Sequence, residues 1–316
     1  MTTAAAAARV ALASQQASLL ARPDVVGVGI GKSASGAFTI AVFTRQTTTD
    51  LLRSRIYELD SSDRAPILHE PALPTRIQTP HDDVSVERVP FGTVLRVPAR
   101  GRAIANDFDL LEESSVQVGA GIGQFSPATL GTLGALAYAN ADGALVGITA
   151  QHVVDGGNVP MYSRANLDDP SPQRIGEIDR GTRAGVDAAR VRFDPGIDPD
   201  GVVPAIGTIT GWTDVSAADI GNGVALFGAM SGRCDGTLAY VNVEIKGDTE
   251  IPSLHDCVLA RIDSAEGDSG SALLDSQRRV VGFLVGIPAQ IDLQLRIFSP
   301  VGAVLERLDC NIPTGG

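Results

Sequence analysis

The apolar positions of the chain fall into two regimes. Residues 4–21 are good helix formers in which Leu12, Leu19 and Leu20 can share one face, and Pro23 with Asp24 ends the run; this predicts a helix. Two apolar runs follow, VVGVGIGK (25–32) and FTIAVFTR (38–45), separated by the turn-rich SASG (33–36), a hairpin pattern. A loose stretch containing Pro66, Pro71, Pro74 and Pro80 leads to VSVERV (84–89), a third strand. Residues 1–95 therefore read as a small α/β N-terminal domain. The charged, aperiodic segment after it, RVPARGRAIANDFDLLEESS (96–115), reads as a boundary with a linker at 96–114.

From residue 115 to 316 the pattern changes to short β runs at fairly regular spacing. They are TLGALAYA (132–139), ALVGITAQHVV (144–154), RIGEI (174–178), DAARVRF (187–193), GTITGW (207–212), VALFG (224–228), GTLAYVNVEI (236–245), CVLARI (257–262), SALLD (271–275), VVGFLVGI (280–287) and LQLRIFSP (293–300). VGAVLERL (301–308) closes the series as a short helix. Many short strands and one terminal helix predict paired β-barrels or a sandwich. The 35 Gly and 18 Pro supply the turns such a chain needs, and a length of 316 residues suits two or three domains. With aromatics at 4%, the core must be built from Val, Leu, Ile and Ala.

The formal charge of −12 argues against nucleic acid and anionic membrane surfaces as partners, because both need a positive field. It is compatible with basic peptides. Cys234, Cys257 and Cys310 have no metal-type spacing and read as free thiols of a reducing compartment. The N-terminus lacks a basic start followed by an unbroken apolar core, and no segment is long enough to span a membrane, so a cytoplasmic location is expected. No metal or nucleotide cofactor is expected. The glycines of GVGIG (27–31) are followed by a strand, where a phosphate loop needs a helix.

Of the four histidines, His69 and His81 lie in loops and His255 sits beside Asp256, all ordinary surroundings. His152 differs, because it ends an apolar run in TAQHVV, ahead of Asp187 at the head of DAARVRF and Ser269 in DSAEGDSGS. A serine hydroxyl is a poor nucleophile until an imidazole takes its proton, and the imidazole needs a carboxylate to fix its tautomer. Asp194 is the rival carboxylate, but the PGIDPDG after it reads as loop.

TAQH around His152, VDAARVRF around Asp187 and EGDSGS around Ser269 resemble the three motifs of the chymotrypsin-like serine proteases, in that superfamily's order of His, Asp, Ser. Within it, the leading VVGVGIGK and the glycine-spaced LFGAMSGRCDGTLAYV (226–241) are similar to intracellular and bacterial trypsin-like peptidases of the Narrow-leaf type. The resemblance implies a mainly β, double-barrel fold with a C-terminal helix, and a serine endopeptidase acting on proteins or peptides. It implies Ser269 as nucleophile, His152 as general base and acid, Asp187 as the group that holds His152, and the N–H groups of Gly267 and Ser269 as oxyanion hole. Asp263, six residues before Ser269, is read either as a turn cap or as the base of a specificity pocket for Arg or Lys; Val285 to Ile287 would form its wall. Val153 and Ala265 stand where secreted trypsins have cysteines. No cleavable Arg precedes an I-V-G-G-like segment, so activation through a new N-terminal amine is not expected and Asp268 is left without an assigned partner. A latent protease held by residues 1–95 and a non-catalytic binding module of the same fold are the competing readings.

Overall fold

A computed structural model describes residues 4–45, 73–79, 83–91, 94–95, 115–154, 156–165, 168, 171–247, 252–288 and 294–313. His69, His81 and the expected linker at 96–114 lie outside the described residues. The chain opens with α1 (Ala4–Leu20), β1 (Val25–Lys32), β2 (Phe38–Thr44), β3 (Arg76–Gln78), β4 (Asp83–Pro90) and the short β5 (Val94–Leu95). Next come β6 (Ser115–Gln117), β7 (Gly121–Gly123), β8 (Gly131–Thr132), β9 (Ala135–Ala139), β10 (Leu145–Thr149), β11 (Pro160–Ser163), β12 (Gln173–Thr182) and β13 (Ala188–Phe193). Four short strands cross to the second half: β14 (Asp198–Asp200), β15 (Val202–Val203), β16 (Gly207–Thr208) and β17 (Gly211–Trp212). That half contains β18 (Gly223–Gly228), β19 (Gly232–Ile245), β20 (Leu254–Arg261), β21 (Ala272–Asp275), β22 (Arg279–Pro288) and β23 (Leu295–Pro300), then α2 (Val301–Leu308) and β24 (Cys310–Asn311).

The strand order β18-β21-β22-β23-β20-β19 closes on itself, because β18 also pairs with β19. This is a closed barrel, and closure leaves its strands no free edge. The other sheet, β24-β9-β10-β13-β12-β11-β7-β8, is a curved open barrel. Ile122, Leu133, Val146, Ile148, Met161, Ile175 and Val191 are buried in one cluster along this sheet. Val301, Val304, Leu305 and Leu308 of α2 join that same core, so the C-terminal helix caps the first barrel after the chain has finished the second.

The first helix and strands are bonded to the second barrel. β1 runs antiparallel to β19, with Gly27 opposite Ile245 and Ile30 opposite Val241, and continues the sheet through β2 and β4. Ala8, Ala11 and Leu12 of α1 share a core cluster with Val28, Ile30, Leu238, Val258, Leu273 and Phe298. The alternating glycines of GVGIG have their reason here. A β-carbon on Gly29 would lie 2.5 Å from Val243 Cγ2, and one on Gly31 would lie 2.6 Å from the Tyr240 ring. The missing β-carbons make room for the Val243 and Tyr240 side chains.

Several expected runs divide differently. TLGALAYA splits into β8 and β9, and GTITGW into β16 and β17, which pair with different partners. The run 144–154 is strand only to Thr149; residues Gln151–Val153 then form a single 3-10 turn, which carries His152.

Candidate active site

The register of β10 against β13 sets Thr149 opposite Ala189. Going outward from that pair, one strand reaches His152 and the other Asp187, so two residues 35 apart in sequence meet at the mouth of the first barrel. The 3-10 turn aims the imidazole, closed by Val153 N–H to Ala150 O at 3.3 Å and Val154 N–H to Gln151 O at 3.1 Å. Asp187 is 0% exposed. Its Oδ1 accepts the His152 backbone N–H at 3.0 Å and its Oδ2 lies 3.1 Å from His152 Nδ1. The Asp187 N–H in turn donates to Ser299 Oγ at 3.0 Å. A buried carboxylate tied at both oxygens fixes the ring in one orientation.

The opposite ring nitrogen, His152 Nε2, lies 2.9 Å from Ser269 Oγ, which comes from the second barrel. The His152 side chain is 11% exposed, so the imidazole is largely shielded from solvent. Asp194, the rival carboxylate, is instead bound to Arg174 at 2.7 Å on the surface. His255 is likewise a surface residue, with Nδ1 2.6 Å from Glu244 Oε2.

Ser269 stands on a loop folded back by Asp268 N–H to Ala265 O at 3.2 Å, with Gly267 at φ +93°. That backbone conformation is open to glycine and strained for other residues. Among the described residues the N–H groups of Gly267 and Ser269 donate to no acceptor, which leaves two backbone donors beside the hydroxyl. Thr132 of the first barrel holds the loop from behind. Its hydroxyl donates to Gly267 O at 2.9 Å and accepts from Ala229 N–H at 3.0 Å, while its N–H donates to Ser269 O at 2.8 Å.

Asp268, unassigned from sequence, is fully buried. Its Oδ1 accepts from Met230 N–H at 2.8 Å and Ser231 N–H at 3.1 Å, and its Oδ2 from Ser231 Oγ at 2.5 Å and Ala265 N–H at 2.7 Å. Three of the four donors, from Met230 and Ser231, come from the tight turn between β18 and β19, the glycine-spaced stretch around Gly228 and Gly232; the fourth, Ala265, lies in the loop of Asp268 itself. Burial still pushes the Asp268 carboxyl above the usual range, against the lowering effect of these bonds.

Asp263 is exposed and forms no ion pair or hydrogen bond among the described residues. A carboxylate in water discriminates charge weakly, so the exposure does not fit a pocket base. The buried charge at this place is Arg296, which sequence reading missed. Val285 and Gly286 at the end of β22 are buried, and Ile287 is half-buried and pairs with Leu95 of β5.

No protein-family model matches the sequence, and no curated protein matches it either. Among solved structures, Thermobifida fusca protease A aligns with 64% of this chain and 100% of its own at 17% identity and a TM-score of 0.51. A Nocardiopsis protease aligns with 63% of this chain and 100% of its own at 18% identity and a TM-score of 0.49. Together with the barrel closure and terminal helix, the first of these shows that the chain has the double β-barrel fold of the chymotrypsin-like serine proteases.

Proposed function

We propose that this protein is a serine endopeptidase. The observation that carries the reading is the continuous chain from Asp187 through His152 to Ser269, with steps of 3.1 and 2.9 Å. In it, His152 takes the Ser269 proton as the hydroxyl oxygen attacks a peptide carbonyl, and the buried Asp187 stabilises the imidazolium that forms. The free N–H groups of Gly267 and Ser269 receive the oxyanion, and His152 then protonates the leaving amine. Three unpaired thiols support a reducing, cytoplasmic setting.

A second reading, a latent form, is favoured by one observation. β5 lies antiparallel on β22, with Leu95 opposite Ile287 and Val94 opposite Pro288. An extended peptide added at that end of β22 would compete with β5 for the same backbone groups.

Labelling with a fluorophosphonate probe tests both. The wild-type chain should label and Ser269→Ala should not; equal labelling of the two would reject the site. If β5 shields the cleft, the double variant Val94→Pro/Leu95→Pro should label several-fold faster than wild type. Equal rates would reject latency, and no labelling of either would reject the protease reading.

A further inference from the structure

From Arg296 we infer the substrate class of this site: peptides with an acidic residue, Glu or Asp, on the acyl side of the cut bond. The inference rests on the protease reading above. β23 lies between β20, which runs into the Ser269 loop, and β22, which carries residues 285–287. On β23 the side chains of Arg296 and Phe298 share a face, and Phe298 lies in the core of the closed barrel. Arg296 points the same way, opposite Ala260 of β20, and is 8% exposed.

Its head group is turned onto the Ser269 loop. Nε donates to Ser264 Oγ at 2.6 Å and Nη2 to Ser264 O at 3.1 Å, while Nη1 donates to Leu295 O at 3.0 Å. All three acceptors are neutral, and a guanidinium has five donors. Among the described residues no carboxylate comes within 4.0 Å of it. Asp268 is committed to its four donors, and Asp263, the other carboxylate whose field reaches Arg296, faces solvent. Burial draws the Arg296 pKa down, with Asp263 and Asp268 opposing. A buried cation without a counterion is costly and is relieved by an incoming anion. A carboxylate entering beside Ser264 would supply it through the two free N–H positions, in the paired geometry that guanidinium and carboxylate favour. The same field repels substrate Arg and Lys. The net charge of −12 does not decide the matter, since long-range repulsion is screened over about 8 Å whereas this is a contact.

The test uses the full chain and peptidyl phosphonate probes that differ only in the residue next to phosphorus: Glu, Asp, Gln, Phe and Lys. The rate of covalent labelling of Ser269 should be about 10²-fold or more faster for Glu than for its neutral isostere Gln. In Arg296→Gln that ratio should fall to near one, a change that mere loosening of the fold would not produce. In Asp263→Asn, labelling by the Glu probe should rise, because a competing carboxylate is gone; a pocket for basic residues would instead lose its Lys preference. Lys or Phe favoured over Glu in the wild type, or labelling by a general fluorophosphonate with no Glu preference, overturns the inference and leaves the protease. No labelling by any probe overturns both.

Discussion

Ser231 and Asp268 are joined twice, through the Ser231 hydroxyl at 2.5 Å and its backbone N–H at 3.1 Å. Asp268 precedes Ser269, so a turn of the second barrel sets where the hydroxyl stands. Ser231→Ala removes a donor from a buried carboxylate and should destabilise the fold by about 1–3 kcal/mol. Burial raises the Asp268 pKa, and the Ser231 bond lowers it. Below the unfolded-state value the carboxyl is protonated in both states and needs the donor less. The loss should therefore be largest at neutral pH and shrink as pH falls through the raised folded pKa. Urea unfolding of both chains at several pH values checks this; a loss independent of pH would place the carboxyl in one protonation state throughout.

Asp187→Asn keeps the shape of the site but puts an amide opposite His152 Nδ1. It should lower kcat by about 10⁴-fold by favouring the wrong tautomer. Ser269→Ala and His152→Ala should each cost about 10⁶-fold. Steady-state hydrolysis of a peptide substrate measures all three, and near-normal turnover by any would remove that residue from the mechanism.

Gly31→Ala tests the junction of β1 with β19. The added methyl would press on the Tyr240 ring, which itself packs edge-on to Phe43. Overpacking of this kind costs about 1–3 kcal/mol. Thermal unfolding followed by two probes, one reporting the first strands and one the barrel, should give a single transition shifted downward. Two separated transitions would mean that the strands and barrel unfold independently.

The candidate triad was legible in the sequence because its proposed chemistry lies in residue types: TAQH, VDAARVRF and EGDSGS each carry one of the three side chains that the structure brings within hydrogen-bond distance. The Asp268 partners were not legible, since two donors are backbone N–H groups of Met230 and Ser231, 38 and 37 residues away, and backbone donors leave no mark in composition. Arg296 escaped for another reason. In LQLRIFSP it alternates with apolar residues and so reads as a solvent-facing strand position, but a closed barrel turns that face inward. The helix and first strands were visible one by one, yet the β1–β19 pairing spans more than two hundred residues and has no local signal.

Asp179 ties the first barrel to the terminal helix. Its oxygens accept from Arg190 Nε at 2.8 Å, Arg190 Nη2 at 2.9 Å and Arg192 Nε at 2.9 Å. Arg190 Nη1 goes on to Leu308 O at 2.8 Å and Asp309 O at 3.0 Å, so one guanidinium satisfies the carbonyl end of α2. Burial alone would raise the Asp179 pKa, but the bonds from Arg190 and Arg192 outweigh it and hold the carboxyl below its usual 3.8. A depressed folded pKa means stability that is full above the unfolded value and lost as pH falls through the folded one. Asp179→Asn should thus cost about 2 kcal/mol at neutral pH, discounted from the cost of breaking a fully buried pair because the site is partly wetted. The gap from wild type should begin to narrow below about pH 4, the unfolded-state value, and close only as pH falls through the lower folded pKa. Denaturation of both chains between pH 3 and 7 measures it. A gap that stayed constant to pH 3 would assign the loss to packing of Arg190 on α2 instead of to the Asp179 charge.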